Sequence, residues 1–177
     1  MRALLLAAGL GTRLRPLTDF LPKCLVPVAG RPLLDYWIET LLRQGVEDIL
    51  INTHYRADLV ERYIAASTWC DRVTLVHEPQ LLGTAGTALT HRQFFGEQPF
   101  LLAHADNLTR FDCRDFLSTH RNSPQGPALT MMLFRNPGSP ILRHCRARYQ
   151  RRSAGLPRKT AQPPGQSGQC RRLCRGA

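Results

Sequence analysis

Not one aspartate or glutamate occurs after residue 135, although ten of the chain's 24 lysines and arginines do. Residues 1–135 carry 14 Lys and Arg against 13 Asp and Glu, a net charge of +1, so ten of the formal +11 charges belong to the last 42 residues. A nucleic-acid-binding fold needs its positive charge spread over a folded face, and this one lacks that. The basic stretch also lacks aromatics apart from Tyr149, so bases would find nothing to stack on. Long apolar runs are missing too: Ala3 to Ala8 is too short for a membrane span or a leader core and runs straight into a glycine loop. No membrane partner and a cytoplasmic location are the expectations. None of the six cysteines forms a C-x-x-C pair, which argues against a zinc site or a disulfide framework and for reduced thiols.

What is present is alternation. Ala3–Ala8, Ile49–Asn52, Val73–His77, Phe100–His104 and Ala128–Phe134 have the apolar, β-rich composition of strands. Between them, Pro32–Gln44 puts Leu33, Leu34, Trp37, Ile38, Leu41 and Leu42 on one helical face and ends at Gly45. Shorter helices are predicted over Ala57–Ala66, Thr87–Phe95 and Asp112–Thr119, the last with Asp112 as an N-cap. Strand and helix in turn favour an α/β fold: a Rossmann-like three-layer α/β/α arrangement with a mostly parallel sheet, truncated on its C-terminal side. Ligands of such sheets bind beyond the carboxyl ends of the strands, so chemistry should sit in the strand-to-helix loops.

The first such loop reads Ala7-Ala8-Gly9-Leu10-Gly11-Thr12-Arg13-Leu14-Arg15-Pro16-Leu17-Thr18, followed by Pro22-Lys23. Glycines let backbone N–H groups approach phosphate oxygens, and Arg13, Arg15 and Lys23 can neutralise phosphate charge. Taken alone, a Gly-x-Gly loop is in most chains a simple tight turn. Two other nucleotide motifs are excluded: Leu14 stands where the dinucleotide fingerprint needs its third glycine, and no G-x-x-x-x-G-K-[ST] loop occurs. The full string from Gly9 to Thr18, then Pro22-Lys23, then Val26-Pro27-Val28-Ala29-Gly30-Arg31-Pro32-Leu33, closely resembles the opening of the sugar-1-phosphate nucleotidylyltransferases, such as the mannose-1-phosphate guanylyltransferases and glucose-1-phosphate thymidylyltransferases. The resemblance implies a loop wrapping a triphosphate, with Leu6, Ala8, Gly9, Gly11, Thr12 and Arg13 against the nucleotide. It also implies that Arg13 stabilises departing pyrophosphate and that Lys23 contacts phosphate.

Two later loops extend it. Glu78-Pro79-Gln80-Leu81-Leu82-Gly83-Thr84-Ala85-Gly86 opens a helix with small residues, leaving room for a flat base against backbone; a close-packed helix cap is the bland alternative. The segment resembles the family's base-recognition stretch, which makes Glu78, Gly83, Thr84 and Ala85 nucleotide-binding candidates, in a form similar to members that make GDP-mannose, with related forms in uridylyl and thymidylyl transferases. Asp106, delivered by the strand ending at His104, suits Mg2+, which takes one or two protein carboxylates and completes its shell with phosphate and water. A capping Asp is the alternative. Arg13, Lys23 and Asp106 are thus the catalytic candidates, and Asp106 the metal ligand. The family usually has Gly-Asp here, so Ala105 is a departure. His104 reads as a packed strand-end histidine, and Asn107 as a support for Asp106. By resemblance the substrates are an NTP and a sugar 1-phosphate, and a homo-oligomer is compatible with it. A catalytically inactive regulatory subunit that binds a nucleotide sugar is the alternative function.

From Asn136 the periodic pattern stops, and residues 136–177 read as a basic, disordered Arg/Pro/Gly-rich tail, with residues 1–135 as the nucleotide-binding part. The family's next strand, its Glu-Lys-Pro motif and its second metal aspartate are missing. Moving the permitted codons of Ile141 to Arg148 forward by one nucleotide allows Ser-Cys-Gly-Ile-Val-Glu-Leu-Asp. The same shift over Leu156 to Thr160 allows Phe-His-Glu-Lys-Pro, and over Pro163 to Cys174 Pro-Pro-Gly-Asn-Leu-Ala-Asn-Ala-Ala-Val-Tyr-Val, which resemble the family's continuation in the correct order. The expectation is a one-nucleotide frame change near residues 135–140.

Overall fold

The computed structural model describes residues 1–124, 127–132 and 170–171. The chain opens with β1 (Arg2–Leu6), followed by a 3-10 turn (Thr12–Leu14), the short helix α1 (Leu17–Phe20) and a second 3-10 turn (Lys23–Leu25). A two-residue hairpin, β2 (Pro27–Val28) with β3 (Arg31–Pro32), then feeds α2 (Leu33–Arg43). Next come β4 (Asp48–Thr53), α3 (Ala57–Ala65) and β5 (Val73–His77). They are followed by α4 (Gly83–Thr90), α5 (Arg92–Phe95), β6 (Leu101–His104), α6 (Cys113–Arg121) and β7 (Cys170–Arg171). Met1–Cys113 belongs to one compact unit, which β7 joins, and the described residues from Arg114 to Met132 belong to a second.

The main sheet runs β6-β1-β4-β5-β7. Its first four strands are parallel, with Leu4 opposite Leu50 on one side and Leu102 on the other. Successive side chains of a strand point to opposite faces, and here both sets are buried. Leu4, Leu6, Leu50 and Val76 pack with Phe95, against which Ala88 and Phe94 also lie, so α4 and α5 cover that face. Ala3, Leu5, Ile49, Ile51 and Leu75, at alternate positions, are equally buried. A sheet buried on both faces needs helical layers and apolar strands, as its composition foretold.

Helix α2 shows how local sequence sets its own limits. Leu34, Ile38 and Leu41 recur at spacings of four and three and are fully buried, each contributing about 1.5–3 kcal/mol from lost water contact. Gly45, at φ 90°, lets the chain leave the helix: its N–H donates to Leu42 O at 3.1 Å and that of Val46 to Leu41 O at 3.0 Å, satisfying two terminal carbonyls. The β2–β3 hairpin turns on Ala29 and Gly30, both at positive φ, the conformation that a two-residue turn of matching twist requires.

Several expectations need correction. The helix expected over Thr87–Phe95 begins at Gly83 and is interrupted at His91, because Gly83 at φ 71° lets the chain turn into helix four residues early. No strand forms over Ala128–Met132, and Leu129 and Met131 are exposed; apolar composition cannot make a strand without a ladder partner. Residues 133–134 of that expected strand lie outside the described residues. Within residues 136–177, Cys170 and Arg171 pair antiparallel with Val76 and Leu75, since backbone ladders need no side-chain pattern. Cys70 is disulfide-bonded, against the expectation of reduced thiols; no C-x-x-C spacing marks it in the sequence. Cys24 and Cys113 are free and buried. No described helix is long and apolar enough to cross a membrane.

Candidate functional site

After β5 the chain crosses back over β4 and β1 to lay β6 on the far side of β1. The order of strands reverses there, so the loops leaving the carboxyl ends of β1 and β6 part and open a crevice. A cavity of about 200 Å3 lies in it, walled by Ala7 to Gly9 from the first loop, Lys23, Gly83 and Thr84 from the second loop, His104 at the end of β6 and Asp106 just beyond it. Three segments far apart in sequence meet around one space.

The first loop owes its path to Gly11. At φ 66° it is left-handed, and a Cβ there would stand 2.8 Å from Thr18 Cγ2. Thr18, buried at the start of α1, donates its hydroxyl to Gly11 O at 2.8 Å, and Leu14 N–H donates to the same carbonyl at 2.9 Å. Leu6 and Ala8 are buried, whereas Gly9, Leu10 and Thr12 stay exposed. Arg13 is exposed in the 3-10 turn and pairs with no carboxylate among the described residues; Arg15 pairs with Asp19 at 3.2 Å.

Lys23 and Asp106, 83 residues apart, form an ion pair, Nζ to Oδ2 at 2.9 Å. Asp106 reaches this position because Ala105 N–H extends the ladder to Leu6 O at 3.0 Å and Trp37 Nε1 donates to Asn107 O at 2.7 Å, clamping the backbone on either side. Ala105 is fully buried. His104 is not the packed residue expected: β6 is the outer strand among the described residues, its Leu102 and His104 are both exposed, and His104 lines the cavity. Thr84 and Ala85 are exposed in the first turn of α4.

Glu78 is placed differently from the other candidates. It is buried, its N–H donates to Thr53 O at 2.8 Å, and its Oε1 accepts from Thr87 Oγ1 at 2.6 Å and Asn52 Nδ2 at 3.1 Å. Its Oε2 accepts Leu82 N–H at 3.2 Å. Asn52 was read only as the end of a strand; a polar residue closing an apolar run was the available signal, and nothing local said what it would meet. His54 Nδ1 lies 2.7 Å from Glu78 O. Burial pushes the Cys24 thiol, also on the cavity wall, up to about 12.

Among the described residues no three His, Cys, Asp or Glu side chains cluster as a metal cage. The donor set suits a cation shared with phosphate: Asp106 is 44% exposed, Lys23 takes only its Oδ2, and Mg2+ needs few protein ligands when phosphate supplies the rest.

A parallel α/β sheet carrying a glycine loop and a loop carboxylate at its strand-order reversal defines the class: Rossmann-like nucleotide-site architecture. Residues 2–139 match the Nucleotidyl transferase family model, and the chain belongs to that family. It is 35% identical over 125 residues to the mannose-1-phosphate guanylyltransferase catalytic subunit beta of Danio rerio, covering 68% of this chain and 35% of that protein. It is 41% identical over 110 residues to the N-acetylmuramate alpha-1-phosphate uridylyltransferase of Caulobacter vibrioides, covering 60% and 46%. Among solved structures, HddC of Yersinia pseudotuberculosis complexed with GMP-PN superposes with a TM-score of 0.59 at 28% identity, covering 68% of this chain and 54% of that one. A putative glucose-1-phosphate thymidylyltransferase of Bacillus anthracis gives 0.61 at 25%, covering 70% and 51%. The chain spans about a third to a half of the length of these two curated relatives.

Proposed function

We propose that this chain carries the nucleotide half of an enzyme that joins a hexose 1-phosphate to an NTP, releasing pyrophosphate. The observation that carries the reading is the convergence of Lys23 and Asp106 at 2.9 Å on a cavity walled by the glycine loop. In the reaction an oxygen of the sugar phosphate attacks the α-phosphorus, and the bond from that phosphorus to the pyrophosphate oxygen breaks. The loop's backbone N–H groups hold the polyphosphate, Lys23 leaves Asp106 for a phosphate oxygen, and Arg13, exposed in the 3-10 turn of the same loop, takes charge on the departing pyrophosphate. Asp106 would hold Mg2+, which when bound supplies charge neutralisation between the two phosphate groups. Glycine and small residues from Gly83 to Ala85 receive the base.

The GDP-mannose type is favoured, supported by the mannose-1-phosphate guanylyltransferase relative and the GMP-PN complex, with uridylyl and thymidylyl types as the competing assignments. The sugar-side lysine and second aspartate belong to the off-frame stretch, so the chain as it stands is weakly active or inactive. Reading the nucleotides around residues 135–140 tests the frame change: a shifted frame that does not encode Glu-Lys-Pro ends it. Pyrophosphate release across four NTPs and several hexose 1-phosphates, measured for this chain and the frame-restored protein, tests the rest. Turnover in the restored protein alone is expected; equal activity in both refutes the impairment, and no turnover in either refutes the reaction.

A further inference from the structure

The reaction above leaves one group of side chains without a task. Asn52 and Glu78, on the cavity wall, are each 3% exposed, and Thr87, bonded to Glu78, is fully buried. Asn52 Oδ1 accepts the N–H of Ala7, the residue at which the first loop leaves β1, at 2.8 Å. Its Nδ2 donates to Glu78 Oε1 at 3.1 Å and lies 3.4 Å from Thr87 Oγ1. Glu78 passes the connection on through Leu82 N–H at 3.2 Å and Thr87 Oγ1 at 2.6 Å, so both the start and the interior of α4 are tied to it. A buried carboxylate without a cation is costly unless several donors fix it, and these do.

One amide therefore joins the two loops, and its polarity is dictated. The Ala7 side offers only a donor and the Glu78 side only acceptors, so the position needs an acceptor and a donor on one short planar group. Asparagine supplies both; aspartate lacks the donor, leucine lacks both, and serine puts its donor and acceptor on one shorter, non-planar hydroxyl.

We propose that Asn52 is a positioning residue for the nucleotide, setting the spacing between the polyphosphate loop and the base loop through Glu78. The inference rests on the nucleotide-transfer reading above and adds how the two recognition elements act together. A triphosphate and a base joined covalently bind far better to two subsites held at the matching spacing than to two that drift. The loss on breaking the link falls on the whole nucleotide and spares its phosphate part.

Calorimetry with magnesium on the full chain tests this with two probes: the NTP that the wild type binds most tightly, and inorganic tripolyphosphate. Asn52→Asp keeps the acceptor for Ala7 and sets a second carboxylate against Glu78. The NTP Kd is expected to rise about tenfold or more while that of tripolyphosphate changes by less than about threefold. Combining Asn52→Asp with Glu78→Gln reverses the donor and acceptor, restores the link, and should return the NTP Kd to within about threefold of wild type. Equal losses for both probes, no loss for the NTP, or failure of the swapped pair to recover would each overturn the proposal. If the single variant loses its cooperative melting transition, the swapped pair decides: wild-type-like NTP binding supports the proposal, and a pair that folds without binding, or does not fold, overturns it. A wild-type chain that binds no NTP sinks the nucleotide-transfer reading itself, before any variant is made.

Discussion

In the first loop the constraint is local: Gly11 sits at φ 66°, capped by the Thr18 hydroxyl seven residues on, while Gly9, Leu10 and Thr12 stay exposed. In the second it is remote: Glu78 is buried and takes donors from Asn52, Leu82 and Thr87, one of them on a neighbouring strand. A polyphosphate is recognised by backbone N–H groups that a sharp turn must leave facing outward, so the turn itself is the device. On the proposed reading the second loop receives a base, which is flat and sparsely charged, so that loop has to be held at a fixed distance by something behind it. The glycines of the two loops repeat the contrast. Gly11 has both a left-handed backbone and a neighbour in the way, whereas Gly83, at φ 71°, faces open space.

Asp106 lies outside both loops, and its loss should exceed anything done to either. In the frame-restored protein Asp106→Asn is expected to lower turnover on the order of 10²-fold or more, roughly 3 kcal/mol of transition-state stabilisation, read by pyrophosphate release. A change below about fivefold would remove Asp106 from the chemistry.

The glycine contrast is sharpened by thermal unfolding. Gly11→Ala combines about 1–2 kcal/mol of left-handed strain with overlap against a side chain that its own hydrogen bond holds still, for a total of about 2–3 kcal/mol. Adding Thr18→Ser, which removes the obstructing methyl and keeps the hydroxyl, should recover about 1 kcal/mol of it. Gly83→Ala carries the strain alone and should cost about 1 kcal/mol. Equal losses for the two alanine variants would break the comparison.

The smallest expected effect concerns Cys24. Its thiol is pushed up to about 12 by burial, so at pH 8 it is neutral and inert. Mass spectrometry after maleimide treatment should find Cys24 unlabelled in the folded protein and labelled once it unfolds. The sign follows from a raised value: the thiol's contribution to stability is intact below pH 9, where the unfolded group is still protonated, and is lost as pH rises toward 12.

Much of this was legible in the residues. The strand Val73–His77 was predicted to the residue, and α2 to within one residue at each end, because an apolar stripe and a stop glycine are local signals. Lys23 and Asp106 could be nominated from their motifs, but their contact could not, since it requires β6 to lie beside β1. The role of Asn52 was invisible for a similar reason: its partners are 45, 26 and 35 residues away, and a strand-end asparagine looks the same whatever it meets. His104 was misjudged because exposure depends on whether a further strand lies beside β6.

The sequence by itself determined the first four strands of the main sheet and helix α2, where the first loop bends, and to which family the chain belongs, because all three are written in short-range pattern. Only the tertiary structure decided that Asp106 faces Lys23 and that Asn52 bridges two loops. Those facts follow from the order of strands in the sheet, which is set by how the helices cross and pack over it.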